Sequence, residues 1–89
     1  MRNTHSESYR LRTSLSLLLL GIREKSPLLT RKHLAGQIGM STHTIADAEN
    51  RQDISGKHLL RMFHYYIYLD LVSPAEFDSF FYLFYRLKH

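Results

Sequence analysis

The chain has no cysteine, so neither a disulfide nor a thiolate metal site is open to it, which fits a reducing cytoplasm. Its four glycines are scattered, and none builds a phosphate-cradling loop. There is no GxSxG nucleophile turn, no HExxH pair and no pair of carboxylates in an apolar setting. Nothing is therefore read as catalytic, and no cofactor is expected. Six histidines do not amount to a metal site. His58 and His64 are six apart, so a helix points them to different faces, and His33 and His43 fall on separate helices with no third ligand at a recognisable spacing. Long apolar runs are also missing. The stretch from Leu15 to Leu20 is interrupted by Ser16 and ends at Gly21, too short to cross a bilayer. It follows Arg10 and Arg12, but no small-residue cleavage site comes after it, so it reads as part of a helix rather than a leader. No strand alternation, internal repeat or low-complexity segment is present, and no linker divides the chain.

What is present is an apolar content of 44% in 89 residues, enough for one small core. The formal net charge of +4 is unevenly placed. Residues 1–69 carry ten Lys/Arg against five Asp/Glu, whereas residues 70–89 carry Arg86 and Lys88 against Asp70, Glu76 and Asp78. A basic first part followed by a near-neutral, aromatic tail is the asymmetry expected when one part meets phosphate and another meets protein.

Five helices follow from the apolar spacing. Residues 1–8 are polar and read as a mobile arm. Helix 1 is expected from about Tyr9 to Glu24 on the stripe Leu11, Leu15, Leu18, Leu19 and Ile22. Ser26-Pro27 breaks the chain. Helix 2 runs from about Arg31 to Ile38, with Thr30 as its N-cap and Leu34 and Ile38 inward. Gly39 stops it in a left-handed conformation and Met40 plugs the turn. Helix 3 runs from about Thr42 to Asn50 behind Ser41, with Ile45 and Ala48 inward. Ser55 caps helix 4, about Gly56 to Leu69. Ser73-Pro74-Ala75-Glu76 is a capping box with proline at the first helical position, opening helix 5 from about Pro74 to Lys88.

The most informative stretch is Thr30 to Asn50: two short amphipathic helices with only Gly39-Met40-Ser41 between them. It resembles the Cro/λ-repressor-like (XRE) helix-turn-helix family on Leu34-Ala35, Gly39-Met40-Ser41, Thr44-Ile45 and Glu49-Asn50, and more weakly on Ser55 and Leu59-Leu60-Phe63, over residues 22–69. Two positions depart from the family pattern. Arg51 stands where glycine is usual, so a different exit from helix 3 is expected. Ala48 stands where a larger aliphatic is usual, so another side chain must fill that space. The fold expected is an all-α, five-helix λ-repressor-like domain, with residues 9–69 as the DNA-binding part and residues 70–89 as an aromatic C-terminal helix of the same domain. The resemblance implies a sequence-specific transcriptional regulator of double-stranded DNA, more often a repressor.

In a helix-turn-helix the outer face of the second helix meets base edges. Here that face is Thr42, His43, Ala46, Asp47 and Asn50. Asn50 suits a bidentate pair with adenine, Asp47 suits cytosine N4, and Thr42 and Ala46 suit a thymine methyl. Arg31, Lys32, Arg51 and Lys57 flank it as phosphate contacts, and Arg2, Arg10 and Arg12 offer a basic arm. A dimer neutralising about eight phosphates would show a log K against log salt slope near −7. Glu49 is expected to pair internally with an arginine such as Arg23. Phe77, Phe80, Phe81, Phe84 and Tyr85 cover more than one stripe of helix 5, with Tyr65, Tyr66 and Tyr68 adding to them. They are read as a homodimer interface. The alternative is a protein-interaction module that retains the helix-turn-helix while its aromatic tail captures a toxin or a polymerase subunit.

Overall fold

In a computed structural model, which describes residues 4–88, five α-helices carry the chain and no strand occurs among the described residues. They are α1 (Thr4–Glu24), α2 (Arg31–Ile38), α3 (Thr42–Glu49), α4 (Gly56–Tyr68) and α5 (Pro74–Lys88). The first helix opens at Thr4, earlier than its apolar stripe indicates, with Glu7 in its first turn. Residues 4–8 of the expected arm are thus helical, and Glu7 Oε2 accepts a bond from Arg86 Nη2 at 2.6 Å that links this turn to α5. Arg2 lies outside the described residues.

Short polar side chains start the helices as their positions predict. Thr30 Oγ1 accepts from His33 N at 3.1 Å, Ser41 Oγ from Thr44 N at 3.0 Å and Ser55 Oγ from His58 N at 3.3 Å. Each satisfies one donor that the first turn leaves without a partner. At α5 the capping box is reciprocal: Glu76 N donates to Ser73 Oγ at 3.1 Å, and Ser73 N donates to Glu76 Oε1 at 2.9 Å.

Three helices end the same way, and only one of them uses glycine. Gly39, Arg51 and Asp70 have φ of 65°, 66° and 60°. In each case the next residue's N–H reaches back over the last turn: Met40 N to Ala35 O, Gln52 N to Asp47 O and Leu71 N to Tyr66 O, at 3.1, 3.0 and 3.0 Å. This left-handed closure satisfies otherwise unpaired carbonyls. The exit from α3 therefore keeps the geometry that glycine would give, with an arginine held in it.

The long helix α1 is the central rod, packed against α3, α4 and α5. Its Leu15, Leu19 and Ile22 are buried with Leu34, Ile45, Met62, Phe63, Tyr66 and Phe80. Lys25 Nζ bonds Leu71 O at 2.7 Å and Glu76 Oε1 at 2.5 Å. With the Arg86–Glu7 pair at the other end, this holds α5 antiparallel along α1. Phe63 of α4 stacks on Phe80 of α5 at 3.8 Å between centroids, and Phe84 stacks on Phe80 at 5.5 Å.

That packing corrects part of the aromatic reading. Phe80 and Phe84 are inside the chain's own core, and so is Tyr66 on α4. α5 packs along α1 and sets Phe80 against Phe63 of α4, so these rings are spent within one protomer. Phe77, Tyr85 and Tyr68 remain exposed, and Phe81 is half-buried.

Candidate nucleic-acid interface

The eight residues of α3 divide cleanly. Ile45, Ala48 and Glu49 are buried, while Thr42, His43 and the capping Asn50 are exposed. Ala46 and Asp47 are half-buried at the edge of that outer face. His43 Nε2 lies 3.3 Å from Asp47 Oδ2, one turn along the helix. The carboxylate thus has a cation beside it whenever the imidazole is protonated.

Behind this face α3 is anchored by charge. Glu49, whose side chain is fully buried, accepts from Arg23 twice, Nε to Oε2 at 2.7 Å and Nη2 to Oε1 at 3.0 Å. This bidentate fork is the internal pair expected from the sequence. Arg23 also donates from Nη1 to Leu29 O at 2.9 Å, so one guanidinium joins α1, the following loop and α3. The bond to Glu49 holds the Arg23 guanidinium above its ordinary pKa, and burial opposes this.

A second arginine enters the same carboxylate. Arg31 Nε donates to Glu49 Oε1 at 2.8 Å. Its place at the start of α2 suits Arg31 to phosphate, but its Nε faces inward and its side chain is only 34% exposed. The sequence shows Glu49 and four arginines within 26 positions of it, Arg23, Arg31, Arg51 and Arg61. It does not show which of them the helix crossing brings within reach.

The sequence reading also missed Ser16. Buried on α1, its hydroxyl donates to Ala48 O at 2.5 Å and accepts from Arg51 N at 3.0 Å. One hydroxyl therefore stitches α1 to the end of α3 and holds the left-handed residue that follows. Ala48 itself is buried, and Leu15, Ile54, Leu59 and Leu87 line the small space beside it. The available signal for Ser16 was a lone hydroxyl within an apolar run.

Of the remaining cations, Lys32 in the first turn of α2, Arg51 after α3 and Lys57 in the first turn of α4 are exposed, as is Arg10. Arg12 is half-buried, with its Nε lacking a partner. Arg61 Nη1 donates to Ile38 O at 3.3 Å and closes the end of α2. Among the described residues no group of three His, Asp or Glu side chains is placed to hold a metal ion, and no helix is long and apolar enough to cross a membrane.

No family model matches the chain, and neither curated proteins nor solved structures give a match.

Proposed function

We propose that the chain is a sequence-specific regulator of transcription that binds duplex DNA through α2 and α3, in the manner of a Cro/λ-repressor-like helix-turn-helix. The observation that carries this reading is the division of α3. Its back is locked to α1 and α2 through Glu49, Arg23, Arg31 and Ser16, and its front presents Thr42, His43 and Asn50 to solvent. A rigidly backed helix with a polar front suits entry into a major groove about 12 Å wide. Base contacts fall to Thr42, His43 and Asn50, with Ala46 and Asp47 at the edge. Lys32 and Arg51, both exposed, flank it for phosphate. Two copies set their α3 helices about one turn, roughly 34 Å, apart on a pseudo-palindrome.

Binding-site selection from a random duplex pool tests the reading, because it reveals both a half-site and its symmetry. Retardation of random duplex at low salt is expected first, since phosphate contacts are indifferent to sequence. With Lys32 and Arg51 of two copies on phosphate, the salt slope is about −4; a slope near −7 returns Arg31 and Lys57 to the contact set. Absence of any retardation at micromolar protein and low salt refutes DNA binding.

A further inference from the structure

The groove between α4 and α5 deepens the dimeric part of the proposed function. The two helices run antiparallel: Leu60 and Tyr85 line one cleft with Gly56 and Phe84, and Phe63 meets Phe77 and Phe81 farther along. That cleft has a volume of about 560 Å³. Gly56 sits so near the Phe84 ring that a Cβ there would lie 3.1 Å from it. Along the outer side of the groove, Ile67, Phe77 and Tyr85 are 38%, 44% and 56% exposed, and Leu60 and Phe81 are half-buried. Aromatic and aliphatic surface of this kind, continuous along both helices, marks a contact face.

The charges at its two ends choose the occupant. Lys57, at the Gly56 end, is exposed and has no ion-pair partner among the described residues. Asp78, at the Phe77 end, is exposed and equally without one, and Asp70 stands exposed in the adjoining turn. A surface that is basic at one end, apolar in the middle and acidic at the other matches itself after a half-turn. An acidic segment from another protein would suit Lys57 and be repelled by Asp78. We infer that a second copy of the chain lies across this groove about a two-fold axis perpendicular to it, each Lys57 against the partner's Asp78. From Phe77 to Tyr85 the helix rises about 12 Å, so the two charged contacts are well separated and the rings meet between them. Lys57 then belongs to the subunit contact rather than to phosphate, and Phe80 and Phe84 stay in their own core.

Sedimentation equilibrium without DNA tests this on the wild type, Lys57→Asp, Asp78→Lys and the double exchange. Wild type self-associates in the micromolar range. Each single reversal, which creates two like-charge contacts per dimer, weakens association by about tenfold or more. The double exchange restores it to within a few-fold, a rescue that no general effect on folding produces. Both positions are exposed, and far-UV circular dichroism checks that every variant keeps its helices. A monomeric wild type through that range, or a double exchange no better than its parents, overturns the inference. Because no DNA is present, that failure leaves DNA binding standing, whereas a dimer that retards no duplex loses DNA binding and keeps the groove.

Discussion

Arg51 offers a substitution whose effects on stability and on binding run in opposite directions. Its φ of 66° puts an L-residue in the left-handed region, which costs about 1–2 kcal/mol for a side chain with a Cβ. Glycine removes that cost but returns conformational freedom to the unfolded chain, worth roughly 0.5–1 kcal/mol. Arg51→Gly is therefore expected to stabilise the fold by about 0.5–1 kcal/mol, or roughly 2–8 °C in Tm for a chain of this size. The Arg51 N–H bond to Ser16 Oγ at 3.0 Å is a backbone contact that the change retains, and the arginine side chain is exposed. Arg51→Ala separates the causes, since it removes the same charge and keeps the strained backbone. Thermal denaturation followed at 222 nm should rank glycine above wild type, with alanine no better than wild type. In duplex binding the two variants should behave alike, each lowering the magnitude of the salt slope by about one for every protomer bound. If glycine is no more stable than alanine, the strain argument at the end of α3 is wrong.

Glu49→Gln should cost about 3–5 kcal/mol, because it leaves buried arginine without its counter-charge; Arg31→Ala should cost only about 1–2 kcal/mol, since Arg23 keeps the carboxylate paired, and a urea midpoint as low for Arg31→Ala as for Glu49→Gln would show that Arg31 is the main partner. Tyr66 is fully buried with its hydroxyl unpartnered, and burial, reinforced by the Glu49 charge, pushes its pKa up. Tyr66→Phe should therefore be neutral or stabilising by about 1 kcal/mol, and a loss larger than that by chemical denaturation would mean that the hydroxyl has a partner. Burial pushes the Glu76 carboxyl up, but the bonds from Lys25 and from Ser73 outweigh it and hold the carboxyl below its ordinary range; the bond from Lys88 lowers Asp53. A carboxylate whose folded pKa is depressed contributes its full stability above the unfolded value and loses it as pH falls through the folded one. Tm should thus fall as pH drops below about 4.5, and the Glu76→Gln variant should show a flatter profile across that window, with Asp53 contributing less because its side chain is 67% exposed.

Much of the fold was legible from local chemistry. The caps at Thr30, Ser41 and Ser55, the Ser73–Glu76 box and the left-handed Gly39 are written in residues a few positions apart, and their partners lie within the same turn. The inward set Leu15, Leu19, Leu34, Ile45 and Phe63 follows from periodicity in the same way. The candidate reading face was legible too, because burying Ile45 and Ala48 leaves Thr42, His43 and Asn50 on the other side of a short helix.

Three-dimensional packing decided the rest. Phe80 and Phe77 look alike in the chain, yet one is 0% and the other 44% exposed, because α5 is covered by α1 and α4 on some sides only. Arg31 and Lys32 are neighbours, yet the crossing of α2 over α3 sends one toward Glu49 and leaves the other in water. Ser16 reaches Ala48 across 32 positions, and Arg51 tolerates a conformation suited to glycine because that hydroxyl holds its amide. A cap or a stripe depends on neighbours along the backbone, which the order of residues specifies. Which face is covered, and which cation finds a buried carboxylate, depends on the angles and distances between helices, and these are set only when the whole core packs at once.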